Sequence, residues 1–224
     1  MGIYFCTKQN ERFETESIMH QIIYFADPMC SWCYGFAPVM DEVRQTYGDE
    51  IEINVLAGGY SPGTTEPMSQ EYKNMLQGAW RKISEVTGQP FDFSMQFAGV
   101  DFCYDTEPAS RALVTMQRMH PEKDWDFFKA MQSAFYAENR DLTKKEILAD
   151  IAESQGVDRE QFLENFQGEE MKELAIKGFA TSQKMGVRGF PTLVGIKDNQ
   201  AYLLSNGYQP FAALEPVIAH WLQV

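Results

Sequence analysis

Short apolar runs of the kind that form buried strands occur near the two ends of this chain, and almost everything between them repeats at helical spacing. HQIIYFADP, from His20 to Pro28, holds Ile22, Ile23, Tyr24 and Phe25 in a run too brief for a helix. IEINVLAGG, Ile51 to Gly59, alternates Ile51, Ile53 and Val55 and ends in a glycine pair. TLVGI, Thr192 to Ile196, is β-branched and apolar; KDNQ reads as a turn and AYLLS as the return strand of a hairpin. Between the first two runs, Phe36, Met40, Val43 and Tyr47 form a helical stripe closed by Gly48, with Pro38 inside it as an expected kink. Phe211 to Leu222 reads as a last amphipathic helix despite Pro216.

The order is therefore strand, helix, strand, a long helical block, strand, strand, helix. A single four-stranded sheet covered by helices accommodates it. The block from Thr64 to Met185 is too long to be a structureless loop. Within it, Tyr72, Leu76, Ala79, Ile83 and Val86 predict one amphipathic face. Further helices are expected at 108–119, 124–138, 143–155, 158–166 and 168–184. Thr143 with Glu146 and Asp158 with Gln161 carry capping-box signatures, and Pro108 suits a first helical turn. The phenylalanines and methionines of these helices are expected in the core. The expected division is an N-terminal arm at 1–19, a sheet domain made of 20–63 and 186–224, and an inserted helical domain at 64–185.

Composition excludes several classes. A net charge of -13 argues against a nucleic-acid binder, which needs a basic footprint. No apolar run reaches the length of a membrane span. Residues 1–19 are polar and mixed in charge and lack the apolar stretch of a secretory signal, so a cytoplasmic location is expected and Met19 is a candidate alternative start. Four cysteines (Cys6, Cys30, Cys33 and Cys103) are too few and too uneven for a disulfide scaffold. A transient catalytic disulfide is compatible with a reducing compartment.

Cys30 and Cys33 form CSWC where the first strand gives way to a helix. Cysteines three apart at a helix start share a face and can bridge with little strain. Cys30 is expected at the helix N-terminus, where free backbone donors and the helix dipole favour the thiolate that attacks a disulfide. Cys33, one turn in and less exposed, is expected to resolve the mixed disulfide. Trp32 between them is a candidate contact for a bound polypeptide. Asp27 is a candidate acceptor for the Cys33 proton; its plain alternative is a carboxylate at a strand–helix junction. Other uses of the pair remain open: half a zinc site, two inert buried thiols, or one thiol binding glutathione. Zinc commonly wants four ligands, and the chain has no second CxxC and only His20, His120 and His220, unpaired.

Four segments carry a resemblance: ADPMCSWCYGFAPVM, YDTEPASRA at Tyr104–Ala112, FYAENRDLT at Phe135–Thr143, and GVRGFPTLV at Gly186–Val194. Together they make the chain resemble the DsbA-like branch of the thioredoxin superfamily, and within it the cytoplasmic FrnE-like group. The resemblance implies an α/β, thioredoxin-like fold with a large all-helical insertion. It implies a cis proline at Pro191, packed beside the dithiol, with Phe190 offering its backbone to a substrate peptide as a strand edge. Gly189 and Gly186 are expected to allow the turn that brings this loop in. Arg188 is expected to face solvent or an ion-pair partner. Glu107 and Arg111, four apart, are expected to pair. The second cysteine pair thought to occur in some FrnE-like proteins has no counterpart here, and a Cys6–Cys103 bridge has no support in the sequence.

The chain is accordingly expected to be a thiol–disulfide oxidoreductase acting on protein or small-molecule thiols and disulfides. No built-in cofactor or metal is expected; glutathione is a candidate redox partner or co-substrate, and a monomer is the expected state. Two alternatives stand beside it. One is a glutathione-dependent transferase or isomerase of the kappa or chromene-carboxylate isomerase type, relatives that have a serine in place of Cys30. The other is a non-redox polypeptide-binding module.

Overall fold

The computed structural model describes residues 20–95, 99 and 101–224. The expected N-terminal arm, Met19 and Cys6 lie outside them. β1 (His20–Ala26), α1 (Ser31–Tyr47) and β2 (Ile51–Ala57) come first. The helical block follows, with α2 (Gln70–Thr87), α3 (Glu107–Met119), a short 3-10 turn at Pro121–Lys123, α4 (Asp124–Tyr136), α5 (Lys145–Ser154), α6 (Arg159–Gln167) and α7 (Glu169–Lys184) among the described residues. The chain closes with β3 (Thr192–Lys197), β4 (Gln200–Asn206) and α8 (Phe211–Gln223).

The sheet runs β2-β1-β3-β4. β1 pairs in parallel with β2, with Tyr24 opposite Val55, because α1 carries the chain back across the sheet. β3 runs antiparallel to β1, and β4 antiparallel to β3. The β3–β4 turn has positive φ at both Asp198 and Asn199, the hand that matches the twist of a hairpin. Alternation along β1 divides its side chains between two layers. Ile22, Tyr24 and Ala26 join the large core beneath α1 and the helical block. Ile23 and Phe25 join a thin layer on the opposite face with Val194, Met185, Val187 and Phe190.

The predicted stripe of α1 is buried along its length. Pro38 sits within α1 and cannot supply an N–H to the Tyr34 carbonyl. Gln89 Nε2 donates to that carbonyl instead, at 3.1 Å. The stripe of α2 differs from expectation: Leu76, Trp80 and Ile83 are buried, whereas Val86 is half exposed. Trp80 fills the core more effectively and rotates the buried face toward itself. At α6, Asp158 caps the Gln161 N–H at 2.8 Å as predicted. The box at Thr143 does not form, and α5 starts two residues later. Asp141 accepts from both the backbone N–H and the hydroxyl of Thr143, leaving that hydroxyl no role as a cap. Phe127, Phe128, Met131, Phe135 and Phe162 are fully buried, and one continuous apolar core runs from β1 and α1 into the helical block.

Candidate active site

The end of β1, the start of α1 and the segment before β3 meet at one point. Cys30 is the N-cap of α1, in extended backbone, and donates its backbone N–H to the Asp27 carbonyl at 3.0 Å. Cys30 is only 6% exposed, and its thiol donates to the Phe190 carbonyl at 3.6 Å, across 160 residues of sequence. Cys33 lies one turn deeper and is fully buried. Both are free thiols, and the Cys30 sulfur lies within hydrogen-bonding reach of Cys33. Burial, then the nearby Cys30, pushes the Cys33 thiol well above its usual range.

The loop before β3 brings Phe190 and Pro191 to the sulfurs, and the Phe190–Pro191 peptide bond is cis. The partly buried Phe190 ring lies on the backbone of Gly58, where a Cβ would come within 2.0 Å of it. The glycine pair after β2 is thus explained by packing: Gly58 admits Phe190, and Gly59, at positive φ, admits Phe179. Of the two glycines expected to shape the loop, only Gly186 adopts positive φ. Gly189 has open space at its Cβ position; its carbonyl accepts the Thr192 hydroxyl at 2.8 Å. Arg188 is exposed. Trp32 is half-buried, its ring 5.6 Å from that of Tyr208.

Asp27 is fully buried, and burial raises its carboxyl to about 6. Its two oxygens accept backbone N–H groups, from Met29 at 2.9 Å and from Tyr60 at 2.8 Å. The buried hydroxyls of Thr106 and Ser110, at the start of α3, also hold the carboxyl down. The Asp27 backbone favours charge on the Cys33 sulfur, whereas its carboxylate, as a neighbouring negative charge, opposes it.

YDTEPASRA docks against the loop after β2. Thr106 Oγ1 accepts from Ser61 N, and Asp105 accepts from Gly63 N. Arg111 pairs with Glu107 at 3.1 Å, as the spacing predicts, and lies over the Phe166 ring. Cys103, half-buried, bonds the Thr65 carbonyl at 3.1 Å.

Sequence reasoning missed three tyrosines at the dithiol. Tyr104, ahead of α3, and Tyr136, the last residue of α4, both donate to the carbonyl of Met29, the residue before Cys30. Tyr24, on β1, sits under α1. All three are buried, and burial holds each phenol well above its usual range, so they act as neutral hydroxyls. Their partners are distant in sequence, so no local pattern announced them. The Asp105–Ser110 segment beside Tyr104 was the nearest available signal.

The DsbA-like thioredoxin domain matches residues 21–219 of this chain. The chain belongs to the DsbA-like thioredoxin family. Among solved structures of that architecture, a candidate protein disulfide isomerase from Nitrosomonas europaea is similar to it at 37% identity and a TM-score of 0.86, over 91% of this chain and 98% of that one. The cytosolic disulfide reductase DsbM from Pseudomonas aeruginosa is similar at 21% identity and a TM-score of 0.76, over 91% of this chain and 100% of its own. Among curated proteins, the ClpXP adapter protein SpxH of Halalkalibacterium halodurans is 23% identical over 183 residues, covering 80% of this chain and 59% of SpxH. SpxH of Bacillus subtilis is 23% identical over 173 residues, covering 77% and 57%. The chain thus spans under three-fifths of the length of these curated relatives. Their likeness, and that to DsbM, bears on the fold. As a DsbA-like protein the chain carries the family's disulfide-oxidoreductase architecture: a four-stranded mixed sheet with the CxxC pair at the head of a helix. Among the described residues, no helix is long and apolar enough to cross a membrane, and no three of His, Cys, Asp and Glu are grouped as metal ligands.

Proposed function

We propose that the chain exchanges disulfides with thiol substrates through Cys30 and Cys33. Cys30 attacks a substrate disulfide, or is attacked by a substrate thiolate when the pair is oxidised; Cys33 resolves the mixed disulfide. The observation that carries this division is the contrast in access. Cys30 lies at the helix tip against the Phe190 carbonyl, whereas Cys33 is fully enclosed. A substrate peptide pairs with the backbone beside Pro191, and Trp32 flanks it. Asp27 holds the turn and repels charge on Cys33.

The substrates are protein or small-molecule thiols and disulfides, in the cytoplasm. Glutathione is a fitting redox partner, and the DsbM structure solved with GSH makes it the first to try. Direction, whether reduction, oxidation or isomerisation, depends on the potential of the couple; about 30 mV shifts a two-electron equilibrium tenfold. Equilibration in graded glutathione buffers, followed by thiol trapping and peptide mass, tests the reading. A reversible Cys30–Cys33 disulfide with one midpoint is expected. A stable glutathione adduct on Cys30 with no internal disulfide would favour the transferase or isomerase instead.

The adapter name of the SpxH relatives supports a second reading, in which the protein binds a polypeptide without redox chemistry. It predicts that replacing both cysteines leaves partner binding intact.

A further inference from the structure

One buried polar group at the dithiol has no part in the chemistry so far. The Tyr24 hydroxyl is fully enclosed and makes no hydrogen bond, to sulfur included. Its ring is fixed edge-on by Phe36 of α1 at 5.9 Å and by Trp125 and Phe128 of α4. Phe36 follows Cys33 by three residues, so the two share a face of α1, and that is the face Tyr24 meets. After burial, Cys33 acts on this phenol more strongly than Cys30 does, so the deeper thiol is its nearer sulfur neighbour. Buried hydroxyls in native proteins nearly always find a partner, and an exception calls for a reason.

The reason lies in what Cys33 must become. Its surroundings in the reduced protein are hostile to a thiolate: burial, the Cys30 sulfur and the Asp27 carboxylate all oppose one, and the Asp27 backbone N–H is the donor that favours it. Yet the sulfur carries charge during exchange. When a substrate thiolate attacks Cys30 of the oxidised pair, a new sulfur–sulfur bond forms at Cys30. The Cys30–Cys33 bond breaks and its electron pair leaves on Cys33. In the opposite direction Cys33 attacks Cys30 in the mixed disulfide and the substrate departs as a thiolate.

We propose that Tyr24 is a catalytic hydrogen-bond donor to the Cys33 thiolate, orphaned while Cys33 is a thiol and satisfied only while its sulfur is charged. The phenol keeps its proton throughout and lowers the barrier in both directions. The proposal rests on the dithiol reading above and assigns a role to a residue that reading leaves idle.

The test is Tyr24→Phe in the full chain, which removes only the hydroxyl. With glutathione as the probe thiol and oxidised glutathione as the probe disulfide, exchange slows about tenfold to a hundredfold in both directions. The midpoint of the couple stays where it is, because Cys33 is uncharged at both ends of the reaction. Thermal stability is unchanged or higher, since a partnerless buried hydroxyl is lost. In a Cys33→Ala background the same substitution leaves the rate of attack by Cys30 on oxidised glutathione unaltered. Wild-type rates in Tyr24→Phe would overturn the proposal. So would slowing accompanied by a lower melting temperature and a shifted midpoint, or failure of the variant to fold, since each marks a structural hydroxyl. If the wild-type chain forms no Cys30–Cys33 disulfide, the dithiol reading itself fails. If it cycles and Tyr24→Phe cycles equally fast, only the role of Tyr24 fails.

Discussion

Two sulfurs three residues apart meet different surroundings in this molecule. The tip of α1, where Cys30 sits, is built from three separated pieces of chain: the turn after β1, the Phe190 carbonyl before β3, and the Met29 carbonyl held by two tyrosines of the helical block. The first turn beneath it, where Cys33 sits, is closed to solvent, and Asp27 and Tyr24 are among its buried neighbours. One helical turn thus separates a sulfur at the helix tip, against the Phe190 carbonyl, from one that is fully buried. What packs around the helix start distinguishes the surroundings of the two sulfurs.

The largest effect expected is at the tip. Cys30→Ser abolishes exchange with glutathione, measured by mass as loss of every adduct at the motif. The fold remains, because serine can still occupy the N-cap.

Next comes the carboxylate of the deeper region. Asp27 titrates near 6 when folded, against about 3.9 in an unfolded chain. A raised carboxyl binds its proton more tightly in the native state, so its stabilising protonated form is present below about pH 4 and lost as pH rises through 6. Asp27→Asn removes this dependence. Relative to that variant, the wild-type chain is expected to lose about 2 kcal/mol of stability between pH 4 and 7 in urea denaturation.

A subtler separation of the two regions comes from Gly58. A methyl group there collides with the Phe190 ring and so disturbs the carbonyl that holds the Cys30 thiol, without touching Cys33. Gly58→Ala is expected to cost about 1–3 kcal/mol and to speed alkylation of Cys30 while Cys33 stays protected. The smallest effect is at the Met29 carbonyl: Tyr136→Phe leaves Tyr104 as its remaining tyrosine donor and costs about 1 kcal/mol. The double variant with Tyr104→Phe exceeds the sum of the singles, because a buried carbonyl then loses both hydroxyls.

What was legible in the sequence was local. The strands, the CSWC helix start, the Asp158 cap and the turn in KDNQ each depend on residues a few positions apart. Thr143 misled because Asp141, two residues away, competes for the same hydroxyl. Val86 misled because apolar spacing alone does not say that Trp80 will take the core. The site was half legible. The cysteines and the GVRGFPT segment stood out, but nothing local linked Tyr104 and Tyr136 to Met29, 75 and 107 residues away. The seating of Phe190 depends on Gly58, which belongs to another strand's end. Packing between distant segments sets these features.

The most direct measurement of the contrast between the two sulfurs uses Cys33→Ser, which leaves the tip intact and removes the resolving thiol. Incubated with oxidised glutathione and digested, this variant is predicted to accumulate one mixed disulfide, located by mass at Cys30 and stable until a strong reductant is added. Adducts at Cys103 with Cys30 unmodified, or no adduct at all, would contradict the assignment of Cys30 as the attacking sulfur.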